Sequence, residues 1–143
     1  MNGYLLDVNV LVALSWPTHE SHQRVERWFA NHARQGWATC PITQAGFVRI
    51  LSNRSFSQDA LTVADAIRLL ASNLQHSEHL FWPNELSLYQ AVSPFGKRLV
   101  GHQQITDAYL LGLAQHRKGK LATLDTSVAT LLPEGNLGLI ELI

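Results

Sequence analysis

The sequence predicts an α/β protein in which helices cover a mainly parallel sheet, and two observations support this. Short apolar runs alternate with segments of helical periodicity from one end of the chain to the other. Proline, glycine or an acidic residue follows most of the apolar runs, as expected at strand ends. No repeat, low-complexity segment or linker divides the 143 residues, so we expect one domain spanning residues 1–143.

The predicted elements follow from local pattern. Apolar runs predict strands at residues 4–6, 37–40, 79–82, 120–124 and 138–143. Helical patterns cover residues 8–15, 43–52, 61–74 and 105–117, and a further helix is expected to be capped by Thr18 and ended by Gly36. In the helix at 61–74 the inward stripe is assigned to Ala64, Ile67, Leu70 and Ala71. Residues 93–104 contain one proline and two glycines and are predicted to be the longest loop.

Composition narrows the function classes. The chain is 46% hydrophobic and 15% charged, which is typical of a globular protein. Eleven basic and eleven acidic residues give a net charge of zero, which excludes nucleic-acid binding by bulk positive charge. Cys40 is the single cysteine, so no intramolecular disulfide forms. No apolar run approaches the roughly 18 residues that span a bilayer, and we expect a soluble cytoplasmic protein without membrane contact.

Three aspartates occupy unusual positions. Asp7 and Asp125 each follow an apolar strand, and Asp107 opens a helix that is apolar on nearly every side. Ligands of parallel α/β sheets bind beyond the carboxyl ends of strands, so these residues can converge there. Crowded carboxylates raise one another's pKa, and a divalent cation relieves their repulsion. Magnesium prefers such hard oxygen ligands and typically takes one or two protein carboxylates.

Each aspartate also has a purely structural interpretation. Asp107 would be favoured in the first turn of any helix by the helix dipole. Asp125 could be an N-cap, in competition with Thr126 and Ser127. Asp7 is harder to explain in this way, because its neighbours in the sequence are apolar and buried acids need a partner.

Two polar residues near the aspartates are candidates for supporting roles. The Asn9 amide could orient Asp7 or a water, or it could cap the following helix. Thr123 precedes Asp125 by two positions and shares its strand face, so its hydroxyl could bind a carboxylate or a phosphate. The alternative for Thr123 is an ordinary β-branched strand residue.

A phosphatase or a receiver domain would also place an aspartate at a strand end. Phosphatases of the haloacid-dehalogenase type carry a second acid two positions on, where this chain has Asn9. A receiver domain carries a late lysine after its strand, whereas Lys120 begins the strand here. Both classes therefore fit the sequence less well than a metal-dependent site.

Four segments in order resemble the motifs of PIN domains. They are residues 6–14, 43–50, 106–110 and 121–125, and the similarity extends over essentially the whole chain. Within that family the chain is most similar to the VapC toxins of bacterial toxin–antitoxin pairs. The resemblance implies a three-layer α/β/α fold with a central, mainly parallel sheet of about five strands.

The same resemblance implies a function. It points to a magnesium-dependent endoribonuclease, with manganese as the alternative ion, that cuts tRNA or rRNA using an activated water. Asp7 and Asp107 would be the main metal ligands, and Asp125 a third acid bound directly or through water. The resemblance further implies a homodimer and a VapB-type antitoxin that blocks the site.

One position departs from the family pattern. The residue after Thr43 is usually acidic in the second motif, but here it is Gln44, which removes one negative charge from the expected site. A second metal would then be held more weakly. The alternative function is therefore a catalytically weakened PIN domain that binds RNA or an antitoxin. Proximity to the motifs suggests Arg49, Lys97 and Arg98 as residues that hold the RNA backbone.

Overall fold

The computed structural model describes residues 1–133 and 136–143. In these residues the five strands are β1 Tyr4–Leu6, β2 Trp37–Thr39, β3 His79–Phe81, β4 Lys120–Thr123 and β5 Ile140–Leu142. The α-helices are α1 Val8–Ser15, α2 His22–His32, α3 Pro41–Leu51, α4 Val63–Asn73, α5 Leu88–Val92 and α6 Ile105–His116. Short 3₁₀ helices are found at Ala33–Gln35, Ser93–Arg98, His102–Gln104, Thr126–Leu131 and Leu137–Leu139.

The five strands form one sheet with the order β3-β2-β1-β4-β5, and every pairing is parallel. Along the chain, β2 pairs with one side of β1 and β3 pairs with β2. Strand β4 then pairs with the other side of β1, and β5 pairs with β4. The strand order therefore reverses between β1 and β4, where Leu6 lies opposite Ala122. In open α/β sheets ligands bind in the crevice beyond the strand ends at such a point. The predicted α/β/α architecture is confirmed.

Helices bury both faces of the sheet because successive strand residues point to opposite sides. Leu5 and Leu121 belong to the hydrophobic cluster that contains most of α6. Leu6 and Ala122, one position further along the same strands, belong to the cluster that contains residues of α1, α2 and α3. The sheet thus separates an α5–α6 layer from an α1–α4 layer.

Helix α6 is the central helix of its layer, as predicted. Ala108 to Ala114 are all buried, and the helix contacts β1, β4 and α5. At Gly112 an added Cβ atom would lie 2.1 Å from the Ala91 carbonyl oxygen, so the backbones of α5 and α6 meet there without an intervening side chain. No helix in the described part of the chain, α6 included, is long and apolar enough to cross a membrane.

Two sequence expectations about the α1–α4 layer are wrong. Helix α2 begins at His22, with Ser21 at its N-cap, because turns occupy the residues after Thr18. In α4 the buried residue is Ala66, with Leu69 and Leu70 partly buried, whereas Ala64, Ile67 and Ala71 are exposed. The sequence of α4 fits two overlapping apolar stripes. Packing against α3 buries the stripe that contains Ala66, Leu69 and Leu70.

Residues 93–104, which the sequence predicts to be the longest loop, contain helical structure. Helix α5 precedes this segment and is capped by Ser87. The Gln90 backbone N–H donates to the Ser87 hydroxyl, and the Ser87 backbone N–H donates to the Gln90 side-chain oxygen. Two 3₁₀ helices then occupy much of residues 93–104. Ser87 followed three positions later by Gln90 is the local sequence signal for the start of this helix.

Candidate active site

Asp7 is buried at the end of β1 and is only 7% exposed. Its Oδ1 accepts the Val8 backbone N–H at 2.7 Å, so the carboxylate caps α1. Its Oδ2 accepts the Thr123 hydroxyl at 2.8 Å from the neighbouring strand β4. Burial raises the pKa of Asp7, and the Asp125 charge adds to this, whereas the bonds from Thr123 and Val8 lower it. The carboxylate is therefore fixed in orientation and partly deprived of solvation.

Thr123 links the polar groups around Asp7. Its fully buried hydroxyl donates to Asp7 and accepts the Asp125 backbone N–H at 3.1 Å and the Asn9 amide at 3.4 Å. Asn9 in turn accepts the Leu124 backbone N–H at 3.3 Å. The expectation that Thr123 binds a carboxylate is confirmed. The Asn9 side chain hydrogen-bonds to Thr123 and Leu124, and the hydrogen bonds among the described residues do not join it to the Asp7 carboxylate. Together these bonds tie the ends of β1 and β4 to each other.

Asp125 lies at the surface and caps the 3₁₀ helix Thr126–Leu131. Both the backbone N–H and the hydroxyl of Ser127 donate to its Oδ1, at 2.9 and 2.7 Å. The sequence suggests Ser127 only as a competing cap, whereas in the structure Ser127 holds the Asp125 carboxylate. The signal was present as a serine two positions after the acid. The cap uses only Oδ1, so the interpretation of Asp125 as an N-cap is confirmed and its Oδ2 has no part in the cap.

Asp107 occupies the first turn of α6 and is partly buried. Burial, followed by the charges of Asp7 and then Asp125, raises the pKa of Asp107 to about 6. The charges of Asp7 and Asp125 act on Asp107, and that of Asp125 acts on Asp7, so the three carboxyls lie within electrostatic range of one another, although Asp7 and Asp125 follow different strands and Asp107 belongs to a helix. Repulsion among them is the property that a cation would relieve.

The donor chemistry of this centre fits a magnesium ion. In residues 1–133 and 136–143 no three His, Cys, Asp or Glu side chains stand close enough together to hold a metal ion by themselves. Magnesium does not need such a cage, since it usually takes one or two carboxylates and keeps several waters. Two acids with raised pKa values, one of them oriented by two hydrogen bonds, satisfy this requirement.

Removing the Thr123 hydroxyl tests its role in orienting Asp7. We expect Thr123→Val to lower RNA cleavage and magnesium affinity about 10- to 100-fold, as is typical when a group that orients a metal ligand is lost. Thr123→Ser keeps the hydroxyl and should stay close to wild type. Single-turnover cleavage and a magnesium-dependent thermal shift measure the two effects. A Thr123→Val protein with wild-type values in both would remove Thr123 from the site.

The raised pKa of Asp107 predicts a pH-dependent stability. In the folded state this carboxyl binds its proton more tightly than in the unfolded state, so its contribution to stability is largest below about pH 4 and falls as pH rises to about 6. Asp107→Asn should therefore be more stable than wild type at pH 7 in EDTA, with the advantage disappearing towards pH 4. Urea unfolding from pH 4 to 8 measures this difference, and a pH-independent difference would contradict the shift.

Gln44 is directed to a different group of residues. Its Nε2 donates to the Thr39 hydroxyl at 2.9 Å, and that hydroxyl lies 2.8 Å from His79 Nε2 on β3. The hydrogen bonds found among the described residues do not connect Gln44 with any acidic side chain. A supporting role for Gln44 at the acidic centre remains a prediction.

The predicted RNA-binding cations are separated by the fold. Lys97 and Arg98 are exposed on the 3₁₀ helix Ser93–Arg98, which packs against the segment that follows Asp125. Arg49 is exposed on α3, in the helix layer on the other face of the sheet. The structure therefore places Lys97 and Arg98, but not Arg49, in the layer that carries Asp107. Contact of any of the three with RNA remains a prediction.

Known proteins are similar to this chain in sequence and in fold. The PIN domain family matches residues 4–131. Ribonuclease VapC39 of Mycobacterium tuberculosis is 42% identical over 139 residues, covering 97% of this chain and 98% of that protein. Ribonuclease VapC38 of the same organism is also 42% identical over 139 residues, covering 97% and 96%.

A solved structure shares the fold at low sequence identity. In the crystal structure of VapBC2 from Rickettsia felis bound to a DNA fragment from their promoter, one chain matches with a TM-score of 0.66 and 16% identity, over 98% of both chains. This match concerns the fold alone, whereas the sequence matches cover nearly the whole chain at 42% identity. The chain therefore belongs to the PIN-domain family and, within it, to the VapC ribonucleases.

Proposed function

We propose that this protein is a magnesium-dependent endoribonuclease, the toxic component of a type II toxin–antitoxin system, that hydrolyses RNA phosphodiester bonds. The observation that carries the proposal is the placement of Asp7, Asp107 and Asp125 within electrostatic range of one another where the strand order reverses, with the pKa of Asp107 raised by burial and then by the other two charges. The names of the relatives as ribonucleases support the same activity.

In this proposal Asp7 and Asp107 would hold the cation, and Asp125 would contribute a third carboxylate through a water. When bound, magnesium, or manganese in its place, lowers the pKa of a coordinated water and offsets charge on the phosphate. Thr123 and the Val8 N–H keep the Asp7 carboxylate in one orientation, so it needs little reorganisation when a cation binds. Asp125 is the most exposed of the three acids and is accessible to a substrate.

The proposed partners are RNA (tRNA or rRNA), a VapB-type antitoxin that covers the site, and a second copy of the chain. An antitoxin partner is supported by the likeness to a VapBC structure. Self-association is supported by zero net charge and by exposed apolar side chains on α5 and around the start of α6, namely Leu88, Tyr89, Val100 and Ile105. A free, buried Cys40 is consistent with the proposed cytoplasmic location.

A cleavage assay tests the function. Purified protein without antitoxin is incubated with end-labelled tRNA and rRNA fragments in magnesium, in EDTA, and as the Asp7→Ala variant. We expect discrete cuts in magnesium that are absent in EDTA and in the variant. RNA binding without cleavage would favour the alternative, a weakened PIN domain that acts as a binding module. Cuts that persist in the variant would indicate a contaminating nuclease and count against the proposal.

A further inference from the structure

A chain of hydrogen bonds connects α3 to the edge strand β3. Gln44 Nε2 donates to the Thr39 hydroxyl oxygen at 2.9 Å, and that oxygen lies 2.8 Å from His79 Nε2. Thr39 ends β2 and is fully buried, whereas Gln44 and His79 are partly buried. The hydroxyl of Thr39 has no third hydrogen-bond partner among the described residues, so Gln44 and His79 together determine where its proton points.

The donors and acceptors of this chain have one consistent direction while His79 is neutral. The imidazole has a backbone hydrogen bond with Leu74 that raises its pKa, so the ring donates and the Leu74 carbonyl accepts. A neutral imidazole has one N–H, which is then on Nδ1, and Nε2 is an acceptor. The Thr39 hydroxyl therefore donates to Nε2, and its oxygen accepts from the Gln44 amide. Gln44 Oε1 is not a buried atom and remains free to accept another donor.

Protonation of His79 requires the opposite direction. An imidazolium donates at both nitrogens, so its Nε2–H must donate to the Thr39 oxygen. The Thr39 O–H then needs a different acceptor, because an unpaired hydroxyl proton in the core is costly. The Gln44 amide can supply that acceptor if it rotates by half a turn, so that Oε1 faces Thr39 and the NH₂ group faces outward.

We propose that His79, acting through Thr39, sets which end of the Gln44 side-chain amide faces outward, and that protonation of His79 reverses the amide. With neutral His79 the second motif presents a carbonyl oxygen, which suits a cation or a hydroxyl donor. With charged His79 it presents an N–H donor, which suits an anion. Because every atom involved belongs to this chain, the coupling does not depend on the proposed ribonuclease function.

The surroundings of His79 favour its neutral form. Burial, followed by the charge of His76, lowers the pKa of His79 below its ordinary value of 6.5, and the Leu74 hydrogen bond offsets part of this change. The neighbours from β2 are Thr39 and the Trp37 ring, whose centroid is 4.7 Å away, and neither carries a charge. In the part of the chain that the structure describes, His76 is the ionisable side chain whose charge acts on His79. We therefore expect the Gln44 oxygen to face outward at pH 7.

NMR of the full nitrogen-15-labelled chain in EDTA, from pH 4 to 8, tests the coupling. Long-range proton–nitrogen correlations report the tautomer and charge of His79, and side-chain correlations report the Gln44 NH₂ group. We expect the Nδ1–H tautomer at pH 7. The Gln44 side-chain shifts should change, and the NOE from its NH₂ protons to Thr39 should weaken, with the midpoint of His79 protonation. The Gln90 amide is the internal control, since its Oε1 accepts the Ser87 N–H and its shifts should not follow His79.

Matched substitutions identify the residue responsible. His79→Gln removes the ionisable ring and should abolish the pH-dependent change at Gln44. His76→Gln, at the neighbouring histidine, should keep that change and move its midpoint to higher pH, because the charge that lowers the pKa of His79 is gone. Thr39→Val removes the connecting hydroxyl, so His79 should still titrate while the Gln44 amide no longer responds.

Gln44→Glu tests the same direction without altering the buried Thr39. A carboxylate only accepts, so the Thr39 hydroxyl should donate to it and leave its oxygen facing His79 Nε2, which favours a proton there. The pKa of His79 should therefore be higher in Gln44→Glu than in wild type, and an unchanged or lower pKa would overturn the coupling. So would an Nε2–H tautomer at pH 7, a Gln44 amide that ignores His79 protonation, or a change that survives His79→Gln. Loss of the change in His76→Gln would assign it to that residue and would also overturn the proposal.

Discussion

Asp7→Asn should lower the single-turnover rate of RNA cleavage by about a thousandfold or more, with the fold unchanged. Asparagine has the same shape and can still accept the Val8 N–H that caps α1, so the local structure has a partner for that bond. It lacks the negative charge that attracts a cation, and loss of a charged group in a catalytic centre typically costs several orders of magnitude. The rate is measured with end-labelled RNA in excess magnesium.

Two further measurements separate loss of chemistry from loss of structure. Circular dichroism and the thermal unfolding midpoint in EDTA should equal or exceed those of wild type, because burial disfavours the charged Asp7 that the variant removes. Magnesium should raise the unfolding midpoint of wild type and have much less effect on the variant. A variant that keeps wild-type cleavage would remove Asp7 from the active site, and a variant that unfolds would assign Asp7 a structural role.

Gly112→Ala should destabilise the protein by about 3 kcal/mol or more, the upper part of the range for overpacking a core. The added Cβ would lie 2.1 Å from the Ala91 carbonyl oxygen and 2.7 Å from its carbonyl carbon. These are backbone atoms of α5, so relief requires the two helices to separate. Helices α5 and α6 belong to the layer that carries Asp107, which lies in the first turn of α6. A separation of the two helices should therefore lower cleavage together with stability. Urea unfolding at pH 7 measures the effect.

Gly101→Ala is the matched control for this substitution. Its Cβ would meet no atom within 4 Å, so the same chemical change should alter the free energy of unfolding by less than about 1 kcal/mol. If Gly112→Ala were as stable as Gly101→Ala, the close approach of α5 and α6 at this position would be wrong.

The sheet and the location of the acidic centre could be predicted from the sequence because they depend on local signals. Each strand is a short apolar run, and the residues that follow β1 and β4 are polar at positions that parallel strands bring to one edge. Asp7 was informative since an acid among apolar residues requires a partner, which the fold supplies as the Thr123 hydroxyl. The deep burial of α6 followed from its apolar character on all sides.

Features that depend on tertiary packing could not be predicted from the sequence. The buried stripe of α4 was misassigned because the sequence fits two stripes and contact with α3 decides between them. Helix α5 was missed because its five residues are too few for a periodic signal. The hydrogen bond from Gln44 to Thr39, and the placement of Arg49 in the opposite layer from Lys97, depend on tertiary positions that motif spacing does not encode.

We propose that Asp7 and Asp107 act together as one centre, and a comparison of single and double substitutions tests this. Single-turnover cleavage rates are measured in magnesium for wild type, Asp7→Asn, Asp107→Asn and the double variant. If the acids act as a unit, each single variant loses most of the activity and the double variant is scarcely slower than either. Losses that multiply in the double variant, or near wild-type cleavage by Asp107→Asn, would contradict a shared centre.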